Sequence, residues 1–368
     1  MRGNKEARPT PAPAAAEADA ASAVLRSKDL LPEILLRVGL PTCLVRAAAV
    51  RKRWLRIARD PAFLRRFRER HPPRLLGFYA NVCTSTGPQF MPVSQAPELA
   101  TTVRRASTLD DFGGHFYIND CRNGRLLVTV AVAGADHFGT RVLSPLQPTR
   151  GTVVLPPAPR LQSKDSQRWF FLPEDDSEDG AISVEVKYTQ TGLEAQVRAL
   201  ESGIWGIRTN AAVVLTEAPQ SEVQILPPVH GKIYMTFYSV QSHHEGILEL
   251  DLAAARISVI PLPDRVRTYN FRLSCGEDAG LSLVHAEGSL PSIWSHIRSG
   301  NGAHDWVVLG DTIRVHEAWN RDDDVLMSEV DSNLEYVFMW MKVNRLLISM
   351  HLRSKTEKAY DARNFPNL

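Results

Sequence analysis

The sequence has few residues that would tie a chain together covalently or hold a structural metal. Its 368 residues include four cysteines, Cys43, Cys83, Cys121 and Cys275, far apart and without a CxxC pair. That spacing argues against both a disulfide framework and a zinc site. There is no Asn-x-Ser/Thr acceptor, a further sign of an intracellular chain, cytoplasmic or nuclear. No run approaches the roughly 18 apolar residues that a membrane span needs, so no membrane partner is expected. The N-terminus, MRGNKEARPTPAPAAAEADAASA, lacks an apolar h-region and contains acids. It reads neither as a secretory signal nor as an organellar transit peptide, and its Ala, Pro and acid content predicts a disordered leader over 1–27.

The common catalytic and cofactor signatures are missing as well. His244-Glu245 and His316-Glu317 begin an HExxH pattern, but the fifth positions are Leu248 and Asn320, so neither completes a metal helix. Gly300-Asn301-Gly302 runs into Ala303, His304 and Asp305, without the third glycine or the strand-turn-helix setting of a dinucleotide turn. There is no GxxxxGK[ST] loop and no GxSxG elbow. His243 and His244 are adjacent, and neighbours on a strand point to opposite faces, which argues against a shared metal. The sequence therefore predicts no catalysis, no cofactor and no metal. Trp169, Trp205, Trp294, Trp306 and Trp340 sit in or beside apolar strands, where packing between sheets is the expected role.

What is present is a soluble composition, 44% hydrophobic and 23% charged, at a length that suggests about two domains. The net charge of +2 hides an asymmetry. From Arg46 to Arg74 there are eleven Lys or Arg against two acids, Asp60 and Glu69, which makes that segment +9 and the remainder about −7. A basic helical patch can mean nucleic acid, but no nucleic-acid motif accompanies it.

The same region carries the strongest helical periodicity. Leu31, Ile34, Leu35 and Val38 fall on one helix face, with Pro32 in the first turn, and Gly39 and Pro41 stop that helix. A second helix is expected over Thr42 to Ala49. A third would carry Val50, Trp54, Ile57 and Ala58 as its apolar stripe, ringed by arginine and lysine. Asp60-Pro61 opens a fourth, with Phe63, Leu64 and Phe67 on its buried side. Four such short helices bury only a thin core and would gain from a partner.

These residues resemble an F-box of the plant form. The resemblance rests on Leu31-Pro32 followed by Glu33-Ile34-Leu35, the Leu40-Pro41 break, Val50-x-Lys52-Arg53-Trp54 and Asp60-Pro61-Ala62-Phe63. Arg51 stands where that family usually has Cys. The resemblance implies docking on an acidic Skp-type adaptor, and through it a cullin, by Leu31, Pro32, Ile34, Leu35, Val38, Leu40, Leu44, Val50 and Trp54.

From about Arg74 the period changes to that of strands. Short β-branched and aromatic runs recur roughly every ten residues, among them Arg125 to Ala131, Ile182 to Tyr188, Lys232 to Val240, Arg256 to Ile260 and Tyr336 to Met341. Length divided by blades of 40 to 50 residues predicts a β-propeller of six or seven blades, with an irregular sandwich as the alternative. A strand with a Pro-rich exit occurs at Val154-Leu155-Pro156-Pro157, Ile225-Leu226-Pro227-Pro228 and Val259-Ile260-Pro261-Leu262-Pro263. The acidic runs 174–179 and 322–324 read as solvated loops. The region is also similar to the F-box-associated β-propeller of plants. That likeness lies in Asp120 to Leu127, Val142-Leu143-Ser144-Pro145, Gly231-Lys232-Ile233-Tyr234 and Ile247 to Leu252.

The expected architecture is thus α+β and multidomain, with a helical F-box over 28–73, a propeller over 74–362 and a tail over 363–368. The implied function is substrate recognition within an SCF-type cullin-RING ubiquitin ligase, with a target protein the sequence does not identify. The other readings are a propeller scaffold outside the ligase, a propeller enzyme, and a basic-helix nucleic-acid binder.

Overall fold

The computed structural model describes residues 24–25, 27, 29–39, 41–71, 75–81, 87–93, 97–109, 116–131, 138–157, 166–172, 180–216, 219, 224–239, 244–263, 266, 270–276, 280–287, 290–298, 304–309, 325–331, 334–341, 343–352 and 355–361. Leu40, the leader up to 23, Cys83, the acidic runs, His243, the 300–302 glycine turn, His316-Glu317 and the tail lie outside them. The chain divides into two compact units, 1–75 and 76–368.

The first unit holds α1 (Leu30–Leu36), α2 (Pro41–Val50), α3 (Lys52–Ala58) and α4 (Pro61–Arg70). Its core is Leu31, Leu35, Leu36, Leu44, Phe63 and Phe67, with Trp54, Ile57 and Leu64 packed around them. Asp60 caps α4 as its sequence suggests, its Oδ1 accepting from the amides of Ala62 at 2.8 Å and Phe63 at 3.0 Å. Two polar ties hold α1 to the end of the unit. Arg66 Nη2 donates to Glu33 Oε1 at 2.6 Å, and His71 Nε2 lies 2.7 Å from the Leu36 carbonyl. The expected third-helix stripe needs correction at Val50. α2 runs on through it, Arg51 is extended (φ −148°, ψ 142°) and α3 starts afresh at Lys52. The break resets the helical phase, so Val50 ends up 64% exposed.

Among the described residues the second unit is a β-propeller of five blades, where length had suggested six or seven. Blade 1 is β3 (Phe116–Arg122), β4 (Arg125–Ala131), β5 (Phe138–Leu143) and β6 (Val153–Val154). Blade 2 is β7 (Ser166–Phe171), β8 (Ala181–Thr189), β9 (Gly192–Glu201) and β10 (Ile204–Val214). Blade 3 is β11 (Lys232–Ser239), β12 (His244–Asp251) and β13 (Arg256–Ile260). Blade 4 is β14 (Phe271–Gly276), β15 (Gly280–Glu287), β16 (Leu290–Arg298) and β17 (His304–Val308). Blade 5 is β18 (Val325–Val330), β19 (Tyr336–Met341), β20 (Leu346–His351) and β21 (Thr356–Asp361). All neighbouring strands within a blade are antiparallel. The length estimate counted as blade material residues that form a two-stranded ribbon and a helix before blade 1.

That ribbon pairs β1 (Gly77–Ala80) with β2 (Gln89–Pro92), and α5 (Ala100–Ser107) follows it. It joins the last blade to the first. Phe78 packs on Phe338 at 4.6 Å and edge-on to Tyr360 at 5.4 Å, and Lys358 Nζ donates to the Pro92 carbonyl at 3.1 Å. On the other side, Asn81 exchanges two 2.9 Å hydrogen bonds with the backbone of Ile118. Gly77 is required here, because a Cβ would run into the Met91 carbonyl and the Phe90 ring.

The blades turn tightly where the sequence allows left-handed backbone. Asn123-Gly124 (φ 51°, 73°), Ser202-Gly203 (53°, 80°) and His230-Gly231 (50°, 71°) each make a two-residue reversal of the type that suits twisted hairpins.

The core lies in the seams between blades. Leu127, Val142 and Leu155 of blade 1 meet Phe171, Ala181 and Leu200 around blade 2, while Ile182, Val184 and Val197 meet Ile233, Met235 and Leu248 of blade 3. Blades 3 and 4 share Ile247, Ile260, Leu273 and Leu283, and blades 4 and 5 share Val284, Met327, Met339 and Ile348. Two of the Pro-rich exits acquire a role in these seams. Trp205 Nε1 on β10 donates to the Pro156 carbonyl at 2.9 Å, and Trp306 Nε1 on β17 donates to the Pro261 carbonyl at 2.8 Å. In both cases an indole on the last strand of one blade reaches the first proline after the last strand of the preceding blade. The third exit is different. Ile225 bridges to Met235, and Leu226 N donates to the Tyr234 carbonyl at 2.9 Å, so the segment runs along β11 beside the three-stranded blade.

Two outcomes follow. Phe78→Ala should lower the stability of the propeller by about 2 kcal/mol, a reduced core-truncation cost because Phe78 is only half-buried. Phe78→Leu should recover most of that in urea denaturation. Trp205→Phe and Trp306→Phe should each cost about 1 kcal/mol for the lost N–H donor. Their effects should add, since they sit in different seams.

Candidate partner-binding surfaces

In the helical unit, the nine residues that the sequence pointed to do not share one environment. Leu31, Leu35 and Leu44 are buried in the unit's own core, Leu31 fully so. Pro32, Val38 and Trp54 are half-buried, while Ile34 and Val50 are 38% and 64% exposed. Leu40 is outside the described residues. Sequence reasoning missed Leu30 and Val45, which are 49% and 68% exposed. Leu30 and Ile34, four apart, lie on one face of α1, and Val45 and Val50 stand out from α2. The sequence pattern over Thr42 to Ala49 marks no apolar face, so nothing singled out Val45.

The exposed charge of the unit is mostly basic. Arg51, Lys52, Arg56, Arg59, Arg68 and Arg70 are all exposed, and Glu33 is engaged by Arg66. The unit thus shows a few outward apolar residues in a positive field, which suits an acidic partner with an apolar groove.

The propeller holds a second group of charged residues that sequence reasoning did not single out. Glu249 on β12 is 4% exposed, accepts from Lys232 Nζ at 2.8 Å and has Arg298 Nη1 of blade 4 at 3.6 Å. Burial above all, then the charge of Glu249, pushes the Cys275 thiol up to about 11, and the same two causes raise the Tyr234 phenol. Next to them His296 Nε2 and His304 Nδ1 are 3.0 Å apart. The signal was present in part, since Lys232 and Glu249 both belong to strands the sequence predicts. Their pairing depends on a register that sequence alone does not fix.

At the seam of blades 1 and 2, Asp120 accepts from the amides of Phe171 at 2.9 Å and Cys121 at 2.8 Å. Burial raises its carboxyl in spite of those bonds. Arg125 lies over the Phe171 ring at 5.1 Å. This accounts for much of the Asp120 to Leu127 motif: one residue anchors the next blade, two make the reversal, and Leu126 and Leu127 fill the core. On β10, Ile204, Gly206 and Ile207 line a shallow groove with Ala199, Glu201 and Arg208. Among the described residues no group of three or more His, Cys, Asp or Glu is placed to hold a metal ion, and no helix is long and apolar enough to cross a membrane.

Comparison with known proteins gives this architecture a family. No curated protein matches the chain. Among solved structures, YCF48 from Cyanidioschyzon merolae is 11% identical, with 74% of each chain covered and a TM-score of 0.40. Apo AztD from Citrobacter koseri is 13% identical over 64% of this chain and 69% of that one, with a TM-score of 0.32. Kuenenia stuttgartiensis hydrazine synthase is 12% identical over 65% and 66%, with a TM-score of 0.33. Likenesses this distant say nothing of activity or partners. The family described as "F-box protein AT5G49610-like, beta-propeller" matches residues 117–365. With more than half of its length matched, the chain belongs to that F-box protein β-propeller family.

Proposed function

We propose that this protein is the substrate-recognition subunit of an SCF-type cullin-RING ubiquitin ligase, acting in the cytoplasm or nucleus. The observation that carries the reading is the family match over the propeller, in a chain whose preceding unit is four short helices with a thin core and a basic surface. In this reading the helical unit is an F-box of the plant form that docks on a Skp-type adaptor. The propeller holds a target protein, and the protein does no covalent chemistry of its own. Its contribution is to raise the effective concentration of target at the ubiquitin-charged end of the assembly.

Burial supports a division of labour among the proposed adaptor residues. Leu31, Leu35 and Leu44 would act from inside, by holding α1, α2 and α4 in place, because their side chains are already buried. Contact would fall to Ile34, Val45 and Val50 with the half-buried Pro32, Val38 and Trp54. A few such apolar anchors usually dominate the energy of an interface. The arginines around them would set the rate of encounter with an acidic surface.

The distinction decides how the idea is tested. Leu31→Ala would hollow the core, at a cost of about 3 kcal/mol, and loss of binding would then report unfolding. An Ile34→Glu, Val45→Glu variant leaves the core intact. In co-precipitation with a Skp-type adaptor, the wild type should bind and this variant should not, with circular dichroism showing both folded. Failure of the wild type to bind, or equal binding by the variant, would sink the docking assignment. The association rate measured by stopped flow should also fall, by roughly tenfold or more, between low and physiological salt. A flat salt response would mean that the basic surface takes no part in encounter.

A further inference from the structure

A titratable pair sits in the seam between blades 3 and 4. His296 Nε2 and His304 Nδ1 are 3.0 Å apart, with ring centroids at 5.2 Å and planes within 27° of parallel. The register of the hairpin explains why they meet. Trp306 lies opposite His296 and His304 lies opposite Arg298, so all four side chains share one face of β16 and β17. The His296 ring also lies 5.0 Å from Trp306, the indole that donates to the Pro261 carbonyl of blade 3. The pair therefore buttresses a side chain that ties two blades together.

A hydrogen bond between two imidazoles needs one ring to donate N–H and the other to offer its lone pair. It exists when both rings are neutral, and it survives one added proton, because an imidazolium still donates to a neutral partner. A second proton removes the acceptor and leaves two positive charges at hydrogen-bond distance. The surrounding charges mostly oppose that second proton. Arg298 on β16 and Lys232 on β11 are cations, whereas Glu249 on β12 has the opposite sign and is engaged by both of them. The intervening sequence, Ser299-Gly300-Asn301-Gly302-Ala303, contains no titratable side chain. Asp305 falls on the other face of β17 by strand alternation. Burial first, and then His304, hold His296 below its ordinary range, with Glu249 acting the other way. Two nitrogens this close could also begin a metal site. Among the described residues no third ligand joins them.

We propose that His296 and His304 form a proton-operated latch on the seam between blades 3 and 4, closed near neutral pH and released on acidification, when the second proton frees Trp306 from its support. Because the folded chain binds the His296 proton less readily than the unfolded chain does, the latch's stabilisation is present above the ordinary histidine value of 6.5. It is lost as pH falls from there through the lowered folded value.

The full-length chain tests this in two ways. The loss of Tm between pH 7.5 and 5.0 should be about 2–4 °C smaller in His296→Gln or His304→Gln than in the wild type. The double variant should lose no more of the pH dependence than either single one. Equal pH dependence in wild type and variants, or additive effects of the two substitutions, would overturn the proposal. If the variants fold poorly, the wild type alone decides the matter through the indole N–H signal of Trp306, assigned with Trp306→Phe. That signal should move with acidification at the same midpoint as the His296 ring. An indole signal unchanged from pH 7.5 to 5.0, or one moving at an unrelated midpoint, would overturn the proposal equally.

Discussion

Backbone hydrogen bonding ends at the edge of each blade, and the propeller depends on what crosses the gap. Within a blade the ladder is complete enough to need little else. Between blades the chain uses buried apolar clusters, each drawn from two neighbours, and a small number of directed polar bonds. The polar bonds are placed where a strand or an exit leaves a backbone group available: Trp205 on Pro156, Trp306 on Pro261, Thr209 Oγ1 on Leu252, and Ser274 Oγ on Asp331. A proline suits the acceptor position because it has no N–H of its own to satisfy. The burial gives each seam its strength, and the directed bonds fix the angle at which one blade meets the next.

Closure of the ring is the same problem at its hardest, since the last and first blades are far apart in sequence. Many contacts of high sequence separation must form before any of them is secure. The β1–β2 ribbon solves this with aromatic packing on blade 5 and a reciprocal Asn81 pair on blade 1. A five-blade count is compatible with the length of the chain because a ribbon spans the closing position.

Much of this was legible in the sequence where local physics decides. The Asp60 cap, the Asn123-Gly124 reversal and strands such as Arg125 to Ala131 follow from side-chain chemistry within a few residues. What escaped was set by distant partners. β7, β18 and β21 begin or alternate with Ser, Gln, Glu, Lys and Thr, and such strands become clear only when a neighbour supplies the other half of the pattern. Val50 looked like part of an apolar stripe because the extended Arg51 that resets the phase leaves no mark in the periodicity. The Trp and Pro positions were visible separately, but their pairing across seams was not. In the helical unit the sequence pointed to most of the apolar residues but could not sort inward from outward, because a thin four-helix core uses the same residue types on both sides.

The charge distribution separates the two units chemically. In the blades, two acids are paired within the sheets, Glu185 with Arg198 at 3.1 Å and Glu249 with Lys232. The helical unit instead leaves its arginines at the surface, and a fold with so little core tolerates this only if their mutual repulsion is relieved. Solvent and salt relieve part of it; an acidic partner would relieve more and would at the same time cover the outward apolar residues. Charge and exposed apolar surface thus favour the same kind of partner, although neither alone would select it.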